Sequence, residues 1–193
     1  MNIPRPQSKQ PIPHQAKKVH TGPIFEVWQW EQPMFDGTTQ TFEKLKRTDT
    51  VNVISVTPEG KIILGKQAQP SLQPFVGGFG GRIDEGENPE SAARRELLEE
   101  TGMEAGKLIL WDSGQLYAKI DWAYYTFIAK DCKKTKKPNL EAGEKIELIE
   151  TTFDGFVELA AQDNFRDSEI SLKLFRLSQN KVKFQAFKNL VLL

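Results

Sequence analysis

Apolar and polar positions along the chain predict many short strands and few helices. The predicted strands are Phe25–Trp30, Thr38–Leu45, Val51–Thr57, Lys61–Gly65, Lys107–Leu110, Gln115–Ala118, Tyr124–Ala129 and about Lys145–Thr151. The first two flank a turn at Asp36-Gly37 and predict a hairpin. The next two are rich in Val and Ile, which predicts a second, more deeply buried hairpin.

One helix has clear start and stop signals. Asn88 suits the N-cap, Pro89 suits the first helical position, and Gly102 suits the C-terminal stop. Further helices are predicted over Asp154–Gln162 and Asp167–Leu177. Strands interleaved with few helices indicate a mixed sheet covered by helices.

Composition narrows the class of protein. The chain has 193 residues, 38% of them hydrophobic, with 26 Lys+Arg against 26 Asp+Glu and thus a net charge of zero. This balance argues against a protein that coats nucleic acid or an anionic membrane by bulk attraction, and no apolar run reaches the roughly 18 residues of a membrane span. The single cysteine, Cys132, excludes an intramolecular disulfide and a zinc site built on several thiolates, and it favours a reduced, cytoplasmic setting.

The zero net charge hides a segregation of charge. Residues 81–104 carry eight acids and three bases, a net of −5, whereas residues 170–193 carry five bases and no acid. The basic segment has Phe175, Phe184 and Phe187 between its cations. Such a pattern is compatible with RNA binding, but it favours a solvated helix and strand that close the domain.

The acidic segment carries the candidate chemistry. On the helix that follows Asn88, Glu96, Glu99 and Glu100 stand at i, i+3 and i+4 and therefore share one face. Ala92 lies on the same face one turn earlier, where its small side chain leaves room for a ligand. A solvated face is the alternative, but three carboxylates on a rigid face suit a hard divalent cation, above all Mg²⁺.

A longer pattern surrounds these glutamates. It has the form G-x5-E-x7-R-E-U-x-E-E-x-G-U, where U is apolar, and it is satisfied by Gly81, Glu87, Arg95, Glu96, Leu97, Glu99, Glu100, Gly102 and Met103. Every specified position matches, and the pattern resembles that of the Nudix hydrolases. The resemblance implies an α/β fold, an α/β/α sandwich around a mixed sheet, that hydrolyses a nucleoside diphosphate linked to another moiety.

The resemblance also implies roles for individual residues. The expected metal ligands, for Mg²⁺ or alternatively Mn²⁺, are Glu96, Glu99, Glu100 and the backbone carbonyl of Gly80. Arg95 would orient one of the metal ligands, and Glu87 would hold the loop against the helix. Gly81 and Gly102 would have structural roles in the backbone. The general base would be either Glu99 or Glu144. Glu144 lies in an acidic loop just before the strand at Lys145, and in the ADP-ribose and nucleotide-sugar branch of the family such a loop supplies the base.

The same branch suggests a substrate. It implies Mg²⁺-dependent hydrolysis of ADP-ribose or a nucleoside diphosphate sugar to a nucleoside monophosphate and a sugar phosphate. Arg47 and Arg82 are the expected phosphate contacts, and Trp28, with Trp30 second, is the expected aromatic that stacks on the base. A Phe79-Gly80-Gly81 sequence replaces the usual Pro-Ala-Gly, and the proline expected about 15 residues beyond the motif is absent, which leaves ADP-ribose and nucleotide sugars equally open.

The implied organisation has three parts. Residues 1–22 form a flexible or partner-packing tail, residues 23–47 form the N-terminal hairpin and make a homodimer, and residues 48–193 form the hydrolase domain. The expected partner is a small nucleotide, not nucleic acid or membrane. Two alternatives remain, a hydrolase of dinucleoside polyphosphates or oxidised nucleoside triphosphates, and a non-catalytic nucleotide-sensing module.

Overall fold

A computed structural model describes residues 3–193 of the chain. The strands are β1 (Lys17–Thr21), β2 (Glu26–Pro33), β3 (Thr39–Lys46), β4 (Thr50–Val56), β5 (Ile62–Ala68), β6 (Phe75–Gly77), β7 (Met103–Glu104), β8 (Lys107–Gly114), β9 (Ile120–Asp121), β10 (Tyr124–Lys130), β11 (Lys133–Lys134) and β12 (Lys145–Thr151). The helices are α1 (Pro89–Thr101), α2 (Phe153–Ala160), α3 (Ser168–Ser178) and α4 (Lys181–Leu192).

A mixed sheet forms the centre of the fold. Its strand order is β12-β5-β4-β10-β8, and β6 pairs with the end of β5. The central pair, β4 and β10, is parallel, whereas β10 and β8 are antiparallel. A parallel pair requires a crossover connection, and the chain between β4 and β10 supplies it with α1.

Helices cover both faces of this sheet. Val53 of β4 and Phe127 of β10 pack with Ala93 and Leu97 of α1 on one face. On the other face Ile54 of β4 packs in a second core with residues of α2, α3 and α4. Successive side chains of a strand point to opposite faces, so one strand serves both cores. The predicted α/β/α sandwich is therefore confirmed.

A smaller sheet lies on the N-terminal side, in the order β1-β2-β3-β9. The predicted hairpin is confirmed as β2 and β3, which pair from Glu26 opposite Lys46 to Pro33 opposite Thr39. Strand β1 adds to its edge by pairing with β2.

Residues 3–16 pack against their own chain, whereas the sequence predicted a flexible or partner-packing tail over residues 1–22. Arg5 donates two hydrogen bonds to Asp49, at 2.7 and 2.9 Å, and lies 3.1 Å from Asp121. Lys44 on β3 is fully buried beneath this N-terminal arm (residues 3–16), and its Nζ donates to Ser8 Oγ at 2.6 Å and to the Gln10 carbonyl. The arm thus supplies the hydrogen bonds that a buried ammonium group needs.

Two local predictions are wrong. Residues 115–118 are not a strand, because β10 begins at Tyr124 opposite Gly114 and offers no partner beyond that point. The C-terminal residues form α4 rather than a strand, since Phe184, Phe187 and Val191 recur at helical spacing and pack in the core shared with α2 and α3.

Among residues 3–193, no helix combines the length and the apolar character needed to cross a bilayer.

Candidate active site

Helix α1 presents the acidic face predicted from sequence. The Asn88 side chain accepts a hydrogen bond from the Ser91 N–H at 3.0 Å, and Gly102 ends the helix in the left-handed conformation at φ 71°. Its carbonyl then accepts bonds from the N–H groups of Thr135 and Lys136. The helix is fixed at both ends, and the buried Ala93 and Leu97 set its rotation on the sheet.

A glycine loop, residues 77–81, runs beside β4 and meets this acidic face. Hydrogen bonds join Phe79 to Val53, and the Gly81 carbonyl accepts from the Val51 N–H at 3.0 Å. A Cβ atom at Gly81 would lie 2.5 Å from Oε1 of Glu96, closer than real contacts allow. A side chain at this position would therefore displace the Glu96 carboxylate from its place beside the loop.

Arg95 connects the loop to the glutamates. Its Nη1 donates to Glu96 at 2.8 Å and to Glu99 at 3.1 Å, and its Nη2 donates to Glu87 at 3.0 Å and to the Arg82 carbonyl at 2.9 Å. Hydrogen bonding to Glu87 is the main reason that the pKa of Arg95 is raised. The planar guanidinium thus holds three motif glutamates and the loop in one arrangement.

Two carboxylates of the acidic face are largely withdrawn from solvent, Glu100 and Glu96, the latter with 14% of its side chain exposed. Glu100 is only 5% exposed, and burial raises the pKa of its carboxyl to about 8, opposed by a hydrogen bond from the Gly80 N–H and reinforced by Glu96 and Glu144. Burial likewise raises the pKa of Glu96, although Arg95 opposes the shift. Carboxylates held close together in a low-dielectric site gain stability from a cation.

The donor atoms fit a hard divalent cation. They are carboxylate oxygens on one rigid helix, the ligand type that Mg²⁺ prefers. Within the described part of the chain, however, no three His, Cys, Asp or Glu side chains already stand in the arrangement of a complete metal site. Arg95 engages Glu96 and Glu99 here, so those two carboxylates would have to turn from the guanidinium or share an oxygen with it.

The acidic face opens into a cleft of about 1120 Å³. It brings together most of the site residues predicted from sequence, namely Arg47, Gly80, Gly81, Arg82, Arg95, Glu96, Glu99, Glu100 and Glu144. Glu87 and Gly102 support the loop and the helix end from outside the cleft. Trp28 is not brought to the cleft; its ring lies between Lys18 and Lys46 and borders a separate groove of about 350 Å³ under the N-terminal arm.

Arginines and an aromatic pair line the side of the cleft nearest β9. The Arg47 guanidinium lies 5.4 Å from the centre of the Trp122 ring, and Trp122 in turn stacks on Tyr117 with 6.2 Å between ring centroids. The Nε of Arg47 is buried and has no hydrogen-bond acceptor within residues 3–193. Burial, with repulsion from Arg82 and Arg166, lowers the pKa of Arg47. An anion in the cleft would relieve this repulsion.

Sequence reasoning missed several residues of the cleft, among them Asn52, Tyr117, Trp122, Arg166, Asp167 and Glu169. They belong to segments that are distant in the chain and carry no shared spacing. A helix start at Asp167 was the one available signal, and it indicates a cap rather than a site.

Comparisons with known proteins agree with this geometry. The NUDIX domain family model matches residues 46–174. The chain is 28% identical to an ADP-ribose pyrophosphatase of Bacillus subtilis over 177 residues, which covers 89% of this chain and 94% of that protein. It is 33% identical to a mouse ADP-sugar pyrophosphatase over 131 residues, 58% of this chain and 60% of that protein.

A solved structure described as an ADP compounds hydrolase shares the fold. It superposes with a TM-score of 0.70 at 17% sequence identity and covers 91% of this chain and 98% of its own.

Proposed function

The chain belongs to the Nudix family and is a pyrophosphohydrolase, and from this premise we propose that it uses Mg²⁺ to hydrolyse ADP-ribose or a nucleoside diphosphate sugar. The products would be a nucleoside monophosphate and a sugar phosphate. One observation carries the proposal, namely that a single cleft contains both the motif glutamates of α1 and a set of arginines. A pyrophosphate bridged by a cation has the charge distribution that complements this arrangement.

The relatives support the choice of substrate. Those named as acting on ADP-ribose and on ADP-sugars match well beyond the glutamate motif, over 177 and 131 residues. Both names describe a nucleoside diphosphate joined to a sugar.

The reaction divides between the metal and the protein. A bound Mg²⁺ would be held by Glu96, Glu99 and Glu100 and would supply charge neutralisation and a more acidic water. Arg95 positions two of those glutamates through its measured hydrogen bonds. Arg47 and Arg82 would contact phosphate oxygens, which the planar guanidinium group matches well.

In the chemical step, the oxygen of a water forms a bond to one phosphorus, and the bridging P–O bond breaks. The water proton passes to a carboxylate, and the departing phosphate takes the bonding electron pair. Glu99 and Glu144 are the two candidates for this base. Glu144 lies across the cleft from the helix, where its charge helps to raise the pKa of Glu96 and Glu100.

The base of the nucleotide would stack at the aromatic end. Tyr117 is 49% exposed and lines the cleft beside Trp122. Within one protomer this pair has the free ring surface that a nucleobase needs. Trp28 would serve only in the cleft of a second copy of the chain.

Turnover of a substrate panel tests the proposal. The purified chain would be incubated with ADP-ribose, ADP-glucose, GDP-mannose, diadenosine polyphosphate and 8-oxo-dGTP, with Mg²⁺ and with excess chelator, and the products would be separated by chromatography. We expect AMP and ribose 5-phosphate from ADP-ribose, only with Mg²⁺. Turnover confined to the last two compounds would favour the alternative hydrolase, and inertness toward all five would favour a nucleotide-sensing module.

We also propose a cytoplasmic homodimer that pairs through the N-terminal sheet. Strand β1 lies at the edge of that sheet, and all five of its residues are exposed. Edge strands readily pair with a second chain. Light scattering after size-exclusion chromatography should give twice the 21.9 kDa mass of the chain, and a monomer mass would contradict the dimer.

A further inference from the structure

A second polar wall of the cleft contacts the glycine loop at Gly78, whereas α1 contacts it at Gly80. The segment 164–167 runs beside β6, where the Val76 N–H donates to the Asn164 carbonyl and the Arg166 N–H donates to the Val76 carbonyl, both at 2.9 Å. These main-chain bonds fix the start of α3 against the cleft. We call Arg166, Asp167 and Glu169, which all line the cleft, the α3 ledge.

Asp167 faces the loop instead of capping its own helix. It occupies the N-cap of α3 but makes no side-chain cap hydrogen bond. Its Oδ2 accepts the Gly78 N–H at 2.7 Å. An N-cap Asp normally accepts a hydrogen bond from an N–H group of the first helical turn. Here the carboxylate instead binds the glycine loop that lines the cleft.

Asn52 on β4 lies behind the ledge, with its amide beside both Asp167 and Glu169. The residue is 9% exposed and lines the cleft, yet its Oδ1 is buried and receives no hydrogen bond from residues 3–193. Buried polar atoms without a partner are rare in native proteins and cost stability. A polar side chain retained at such a cost is typical of a binding site.

Arg166 offers a positive charge next to these acceptors. Its guanidinium lies over the Phe75 ring, 4.7 Å from the centroid, and no carboxylate in residues 3–193 lies within ion-pair distance of it. The Phe75 ring holds the guanidinium in place without neutralising it. An anionic oxygen in the cleft is therefore a suitable partner.

We propose that the α3 ledge is the subsite for the sugar phosphate half of the substrate. Arg166 binds an oxygen of the phosphate, and the carboxyl oxygens of Asp167 and Glu169 accept hydrogen bonds from sugar hydroxyls. This inference rests on the proposed pyrophosphatase function and deepens it. The ledge and the aromatic pair of Tyr117 and Trp122 line the same cleft and offer different groups, acceptors for a hydroxyl-rich sugar and ring surface for a nucleobase.

Calorimetric binding of product halves tests the ledge without any turnover. Ribose 5-phosphate and AMP would each be titrated into the full chain, as wild type, Glu169→Gln and Arg166→Ala. Glu169→Gln leaves the Asp167 contact with the loop in place. Asp163→Asn, an exposed residue of the same segment, is the matched control, and thermal unfolding would show that each variant is folded.

We expect wild type and Asp163→Asn to bind ribose 5-phosphate equally. At pH 8, above the raised pKa of Glu169, both ledge variants should bind it about tenfold or more weakly, as expected when a hydrogen bond to a charged group is lost or becomes a neutral one, and Glu169→Gln should bind AMP normally. The assignment of the ledge as the sugar phosphate subsite would be overturned if wild type did not bind ribose 5-phosphate. It would also be overturned if Glu169→Gln lost the same affinity for AMP as for ribose 5-phosphate. Binding that follows our expectation in a chain that does not hydrolyse ADP-ribose would instead overturn the proposed function alone.

Discussion

The main-chain N–H of Gly80 donates to Oε2 of Glu100 at 2.8 Å and joins the glycine loop to the buried end of the acidic face. Sequence reasoning assigned the carbonyl of Gly80 to a metal, whereas the group seen in contact is the amide. The bond holds Glu100 in a position where burial, reinforced by Glu96 and Glu144, makes a negative charge costly.

Glu100→Gln should remove both activity and the response to metal. The amide can still accept the Gly80 bond, so the fold should persist, but the charge that would bind Mg²⁺ is lost. We expect kcat to fall by at least about 100-fold, because substitution of residues that only hydrogen-bond to a metal ligand already lowers metal affinity or activity about 10–100-fold. The rise in melting temperature on adding Mg²⁺ should disappear. Glu104→Gln, an exposed residue just beyond the helix, should retain both properties. Near-normal turnover of Glu100→Gln at saturating Mg²⁺ would contradict its role as a ligand.

Arg95→Lys should weaken metal binding while keeping the charge. A single ammonium group cannot reach Glu87, Glu96 and Glu99 together as the guanidinium does. We expect the Mg²⁺ concentration for half-maximal activity to rise about 10–100-fold. Arg94→Lys is the control, because Arg94 bonds Glu90 and the Ala105 carbonyl outside the cleft. An equal effect of the two variants would show that Arg95 does not organise the site.

Gly81→Ala should impair the site more than the fold. The new Cβ would stand 2.5 Å from Glu96 Oε1, so the carboxylate or the loop must shift. Misplacement of this size at a reacting centre commonly costs about 100-fold in rate. In Gly22→Ala the nearest atoms lie at 3.4 Å, an ordinary contact, and activity should be unchanged. Full activity in Gly81→Ala would mean that the close approach has no functional role.

Kinetics of Glu144→Gln should show whether Glu144 is the base, since Glu99 is also an expected metal ligand and its substitution would lower kcat in either role. The variant that removes the base should lose about 100–10,000-fold in kcat with little change in KM, because general base catalysis contributes that range. Glu147→Gln, whose side chain is 74% exposed on β12, serves as the control. If Glu144→Gln changes KM alone, Glu144 is not the base.

Glu169 should make stability depend on pH. Burial raises the pKa of its carboxyl to about 7, and Asp167 adds to the shift. The folded chain therefore holds a proton that the unfolded chain has released, and the stability from Glu169 is present below about pH 4 and lost as pH rises through about 7. Urea unfolding of wild type and Glu169→Gln between pH 4 and 8 measures this difference. As the pH rises, the free energy of unfolding should fall less for Glu169→Gln than for wild type. If the two proteins showed the same dependence on pH, the raised pKa of Glu169 would be contradicted.

The sequence predicted α1 and its acidic face because the signals are local. Asn88, Pro89 and Gly102 fix the ends, and the spacing of Glu96, Glu99 and Glu100 fixes the shared face. The core strands were equally evident, since β4 and β10 are rich in Val, Ile and aromatic residues and are buried along nearly their whole length.

The α3 ledge could not be predicted in the same way. It depends on hydrogen bonds between β6 and residues 164–166, which no periodicity records. The aromatic pair that lines the cleft could not be found from the sequence for a similar reason. Trp28 lies in a strand with evident β-pattern, whereas Tyr117 and Trp122 lie in a connection whose path follows from the pairing of β9 with β3.

The buried Lys44 makes the N-terminal arm an internal reporter. A lysine whose amine is sealed by Ser8 and Gln10 reacts with acylating reagents only when the arm lifts. The rate of Lys44 acylation, followed by mass spectrometry, therefore measures how often the arm opens. No measurement at the catalytic cleft would detect this motion.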